Sequence, residues 1–126
     1  MSNQSAVDRW VANVSSMHAE AESMGAEYFV FLQPTMGLEG LQSRIAPEGS
    51  SDWQLQKKHP RLLDDNYIRS LNDFYSEAQK ECRDLHFCVD ITEIGPPEGD
   101  AYHDPRHHNE NGNELIAENI HAVLFP

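Results

Sequence analysis

Two short apolar runs set what this chain can become. They are Tyr28-Phe29-Val30-Phe31-Leu32, closed by Gln33-Pro34, and Phe87-Cys88-Val89-Asp90-Ile91. Continuous rather than alternating apolarity suits a strand buried on both faces. A helix-like segment precedes each run. Over residues 5–24, Val7, Trp10, Val11, Val14, Met17 and Ala21 recur at helical spacing, and Gly25 follows as a C-terminal cap. Over residues 64–83 the apolar face is Tyr67, Ile68, Leu71, Phe74, Tyr75, Ala78 and Cys82, with Asp64-Asp65 placing negative charge at its start. A last helix is expected over 112–124, with Leu115, Ile116, Ile120, Val123 and Leu124 on one face. Helix, strand, loop, helix, strand, loop, helix is the order of an α/β fold with a parallel sheet covered on both faces. Strands are therefore expected near 28–33 and 86–91, running parallel. Two strands are too few for a free-standing sheet, so residues 1–126 are expected to form a single, partial domain.

Composition narrows the function classes. The chain has 126 residues, 39% of them hydrophobic, which allows one domain with a modest core. Acidic residues outnumber basic ones 21 to 9, for a formal charge of −12. Such a surface repels phosphate backbones and anionic lipid, so no nucleic-acid partner is expected. No apolar run approaches the roughly 20 residues that span a bilayer, and Met1-Ser2-Asn3-Gln4-Ser5 opens no signal-like segment. The chain as given is expected to be cytoplasmic. Cys82 and Cys88 are too few for a disulfide framework and are expected to be reduced, partly buried thiols.

The chemistry concentrates after the second strand. Residues 35–60 are a long loop with room for one short helix, and Trp53 lies there. After the breakers Gly95-Pro96-Pro97-Glu98-Gly99 comes the stretch Asp100-Ala101-Tyr102-His103-Asp104-Pro105-Arg106-His107-His108-Asn109, leading into Gly112-Asn113-Glu114-Leu115-Ile116-Ala117. Sites in open α/β sheets form at the carboxyl ends of strands. Asp104 and His107 are three apart, so one turn lets both point the same way. A carboxylate so placed fixes an imidazole's tautomer and stabilises its protonated form, the support a general base needs.

The pattern Tyr-x-Asp-x-x-His-x-Asn-x-x-Gly-Asn-x-Leu-Ile-Ala, from Tyr102 to Ala117, resembles the last sequence block of SGNH (GDSL-type) hydrolases. The resemblance implies that Asp104 and His107 correspond to the triad's Asp and His, and that Asn109, Gly112 and Asn113 form its loop-to-helix transition. It further implies a three-layer α/β/α, flavodoxin-like half-domain and an ester-type substrate, with no cofactor and no metal. The chain departs from the family pattern in its nucleophile, because it contains no Gly-Asp-Ser motif and no Gly-x-Asn-Asp block. Gly49-Ser50-Ser51-Asp52 has a serine after glycine but no strand before it. The expected function is therefore the Asp/His-bearing C-terminal portion of an ester hydrolase, inactive unless a serine-bearing segment is supplied.

Three side chains are candidate binding residues beside this pair: Asn109, Tyr102, which either packs under the His loop or faces substrate, and Trp53, which either meets substrate or is a satellite core contact. Two rival functions stand beside the hydrolase. One is a non-catalytic interaction protein on a degenerate SGNH scaffold. The other is metal binding by His103, His107, His108 and Asp104, whose ligand types suit a divalent ion. A half-sheet leaves an edge, so a homodimer is expected through the strand 28–32, completing the short sheet.

Overall fold

The computed structural model describes residues 3–36, 38, 46–93 and 99–126. Its elements are α1 (Asn3–Ser23), β1 (Val30–Leu32), α2 (Ser51–Lys58), a 3₁₀ turn (Pro60–Leu63), α3 (Asp65–Asp84), β2 (Cys88–Asp90), β3 (Tyr102–Asp104), β4 (His107–His108) and α4 (Glu110–Leu124). The protein is mixed α/β, with one parallel and one antiparallel strand pair among the described residues. It divides into two compact units, residues 1–32 with 73–90 and residues 33–72 with 91–126. No helix among the described residues is long and apolar enough to cross a membrane.

In the first unit β1 and β2 pair in parallel, in the register Val30↔Cys88, Phe31↔Val89, Leu32↔Asp90. The strands lie within the two expected apolar runs but are three residues each. Val7 and Val14 of α1, Ala78 and Cys82 of α3, and Phe87 are buried here. Trp10 and Val11 are half-buried and Met17 is exposed, so the inward stripe of α1 is narrower than its apolar spacing. Gly25, at φ +74°, ends α1, with the Ala26 N–H donating back to the Ala21 carbonyl at 2.9 Å. Only glycine takes that left-handed geometry without cost. The His18 ring stacks on Phe87 at 4.2 Å between centroids, tying α1 to the approach of β2.

The expectation of two reduced thiols does not hold. Cys82 and Cys88 form a disulfide, with Cα atoms 5.2 Å apart. The reason is local. The last turn of α3 places Cys82 one short reversal before β2, and the bonds Leu85 N–H to Cys82 carbonyl (3.2 Å) and Cys88 N–H to Leu85 carbonyl (2.9 Å) fold the connection back on itself.

The second unit is built around Met36, Leu62, Ile68, Ala101 and Tyr102, with Leu55 and Tyr67 packed against them. The segment expected as loop holds more structure than one short helix. Ser50 caps α2, its hydroxyl accepting the Trp53 N–H at 3.2 Å, and the 3₁₀ turn follows at once. Trp53 therefore stands on a helix, half-buried, with the Lys57 ammonium 4.2 Å above its ring. Asp64 caps α3 by accepting the Tyr67 N–H at 3.0 Å, the role its charge suggests. The hairpin of β3 and β4, with Tyr102 opposite His108 and Asp104 opposite His107, replaces the irregular loop expected there. Residues 94–98 of that loop lie outside the described residues, as do residues 37 and 39–45 of the long loop.

Candidate active site

The hairpin that carries Asp104 and His107 rests on two carboxylates of the second unit. Asp52, buried in the first turn of α2, accepts the Ala101 N–H at 3.0 and 3.1 Å and the Tyr102 N–H at 3.0 Å. Its own N–H donates to the Gly99 carbonyl at 2.9 Å. Burial raises the Asp52 pKa, against the backbone hydrogen bonds that lower it. Asp100 accepts from Ser51 Oγ (2.8 Å), Asn109 Nδ2 (2.7 Å) and Asn111 Nδ2 (2.8 Å). The hydrogen bonds from Ser51 and Asn109 hold its carboxyl below the ordinary value. Together these acids fasten the strand start at 100–102 to the first turns of α2 and α4.

Asn109 caps α4. Its Oδ1 accepts the Gly112 N–H at 3.0 Å while its backbone N–H donates to the Ala101 carbonyl at 2.9 Å. Gly112 is required by that approach. A Cβ there would collide with the Ala101 carbonyl oxygen and press on His108 Cβ. The Asn-x-x-Gly spacing thus has a local physical cause, a capped helix start laid against a neighbouring carbonyl.

The pair itself flanks the turn between β3 and β4, Asp104 ending the first strand and His107 opening the second. His107 Nδ1 lies 2.9 and 3.0 Å from the two Asp104 carboxylate oxygens. Asp104 Oδ1 also accepts the backbone N–H of Arg106 and that of His107, each at 2.9 Å. These bonds, the Arg106 N–H first, lower the Asp104 pKa, so the carboxylate is ionised and faces the imidazole as an anion. The His107 side chain is 78% exposed, and its Nε2 has no hydrogen-bond partner among the described residues. In the Nδ1–H tautomer an imidazole so held presents Nε2 outward as an acceptor, the arrangement of a general base.

His107 has no hydroxyl or thiol partner among the described residues. Ser50 is spent on capping α2, and Ser51 on Asp100. Of the candidate binding residues, Asn109 has both side-chain ends engaged, and Tyr102 is buried with its ring 4.7 Å from that of His108. Trp53 is covered on one face by Lys57. His103 is exposed; His108 is half-buried, its Nε2 buried without a partner, and burial lowers its pKa. Among the described residues no group of three or more His, Cys, Asp or Glu side chains is disposed to hold a metal ion.

Sequence spacing pointed to Asp104 and His107 but gave no sign of Asp52, the buried acid beneath them, nor of a cleft beside the same turn. That cleft, about 230 Å³, is lined by His59, Pro60, Arg61, Leu62, Tyr67 and Pro105. Compared with family models, with curated proteins and with solved structures, the chain matches none.

Proposed function

We propose that the chain is the acid–base portion of an SGNH-type ester hydrolase, with His107 as general base and Asp104 as the residue that orients it. One observation carries this: an ionised carboxylate at 2.9 Å from Nδ1 with Nε2 left open, on a turn that leads into a capped helix. His107 would take a proton from a nucleophilic hydroxyl through Nε2, and Asp104 would stabilise the imidazolium that results. The chain contains no Gly-Asp-Ser nucleophile motif, so it is inactive alone and acts on an ester only when a serine-bearing segment is supplied. Nitrogen-15 NMR and p-nitrophenyl acetate turnover test this together. We expect the Nδ1–H tautomer of His107 in the parent chain, its loss in Asp104→Asn, and no saturable hydrolysis. An Nε2–H tautomer in the parent would remove the base, and saturable hydrolysis lost in His107→Ala would reveal a nucleophile in the chain.

In this proposal β1 and β2 belong to a three-layer α/β/α, flavodoxin-like sheet, completed by a second copy of the chain along β1. The Val30 N–H is spent on the Phe87 carbonyl at 3.0 Å, so the peptide groups of Phe31 face the opposite edge. Phe29 is exposed beside it. Among the described residues no strand lies along that edge, and an apolar edge of this kind recruits another strand. Sedimentation equilibrium at micromolar concentration should give a dimer, and a monomer would refute the completion. The Cys82–Cys88 link favours an oxidising compartment over the cytoplasm, because disulfides rarely persist where thiols are kept reduced. A non-catalytic interaction role is favoured by one feature, the exposed Val123, Leu124 and Phe125 at the end of α4.

A further inference from the structure

We propose that the cleft beside the β3–β4 turn is a binding site for a small carboxylate ligand with a flat apolar body, with Arg61 and the Tyr67 hydroxyl receiving the carboxylate. This does not depend on the hydrolase proposal. Its lining joins the apolar surface of Pro60, Leu62, Pro105 and the Tyr67 ring to the guanidinium-bearing Arg61 and to His59. At about 230 Å³ the cleft falls below the roughly 300–1,000 Å³ of drug-sized sites, which suits a ligand of one substituted ring.

Its polar groups are donors without an anion. Arg61 has no carboxylate partner among the described residues, in a chain where acids outnumber bases 21 to 9. Arg106 lies over the Tyr67 ring, its guanidinium carbon 5.7 Å from the centroid. It donates to two neutral oxygens, Thr35 Oγ1 at 2.9 Å and Tyr67 Oη. The Tyr67 oxygen accepts from that guanidinium, which leaves the phenol hydrogen for a further acceptor. Two carboxylates close to these residues in sequence are engaged with the backbone or with His107. Asp64 accepts the Tyr67 N–H and caps α3, and Asp104 is held by His107 and by the Arg106 N–H. A ligand carboxylate therefore meets a planar guanidinium and a phenol O–H, while its ring lies among two prolines and a leucine.

The test uses the nitrogen-15-labelled full chain titrated with benzoate, with benzamide as the neutral isostere and inorganic phosphate as the anion without a body. Benzoate should shift the Leu62, Tyr67 and Arg106 amides saturably, with a dissociation constant on the order of 1 mM for so small a ligand. Benzamide and phosphate should give no saturable response at those amides. Arg61→Gln, at an exposed position, should weaken benzoate roughly tenfold with the rest of the spectrum unchanged, whereas Lys80→Gln on α3 should not. The absence of saturable benzoate shifts in the millimolar range, an equal response to benzamide or phosphate, or an equal effect of the two substitutions would each overturn the assignment.

Discussion

Replacing Asp52 separates what its charge does from what its oxygens do. In Asp52→Ala the Ala101 and Tyr102 N–H groups, both on buried residues, lose their shared acceptor. Each orphaned donor costs about 1–3 kcal/mol, or about 2–6 kcal/mol for both. Part is returned, because burial of this carboxylate outweighs its hydrogen bonds and raises its pKa. A net loss of about 3 kcal/mol follows, which is roughly 100-fold in an opening equilibrium. Asp52→Asn keeps an Oδ1 able to accept both N–H groups and removes the buried charge, but it sets an Nδ2 donor where Oδ2 now accepts the Ala101 N–H at 3.0 Å, so it should cost about 1–2 kcal/mol, less than Asp52→Ala. Because the chain holds two compact units, the effect is best read locally, by amide hydrogen exchange at Ala101 and Tyr102 near neutral pH. A raised acid pKa also means that the folded state binds this proton more readily than the unfolded one. Stability from this group therefore falls as pH rises from 3.8 toward the folded value, a slope that Asp52→Asn should lack. Exchange in Asp52→Ala within a few-fold of the parent, or Asp52→Asn as damaging as Asp52→Ala, would refute the reasoning.

The remaining expectations concern the same platform. Gly112→Ala should destabilise by more than about 2 kcal/mol in chemical denaturation, despite the roughly 1 kcal/mol that alanine gains in a helix. The colliding atom is a backbone carbonyl already bonded to Asn109, and a more stable variant would show that it can yield. His108 has its pKa lowered by burial, against the attraction of Asp52 and with the repulsion of His107. Its contribution is complete above 6.5 and is lost as pH falls from 6.5 toward the folded value. His108→Phe keeps a ring against Tyr102 and removes the unpartnered Nε2, so it should flatten that acid-side decline in a stability–pH profile. An unchanged slope would assign the decline elsewhere.

Three helices were legible because their apolar residues recur at helical spacing and Gly25 and Asp64 mark ends. The strands were legible as apolar runs, but not in extent, since a ladder reaches only as far as its partner. Ser51–Lys58 gave little sign of a helix: its apolar positions are few, and what fixes it is a cap at Ser50 and a buried Asp52, both tertiary facts. Tyr102 to His108 shows no alternation that would mark a hairpin. The Asp104–His107 contact was legible because three residues of spacing nearly determine it. The cleft was not, because Arg61, Tyr67 and Pro105 meet only after the chain has folded. Two cysteines six apart carried no sign of pairing until the end of α3 and the start of β2 were placed.

The locality of the Asp104–His107 contact decides which part of the site is durable. The two side chains belong to one four-residue reversal, so bringing them together costs little loop-closure entropy. The orientation of the imidazole is therefore an autonomous property of the turn. It outlasts openings that release Ala101 and Tyr102 from Asp52 fifty positions away, where the chain must recover a long loop. In this protein the vulnerable element is the floor beneath the base. A designer who wished to move the base to another scaffold would carry Asp104 to His107 as a cassette, and would have to build the floor anew.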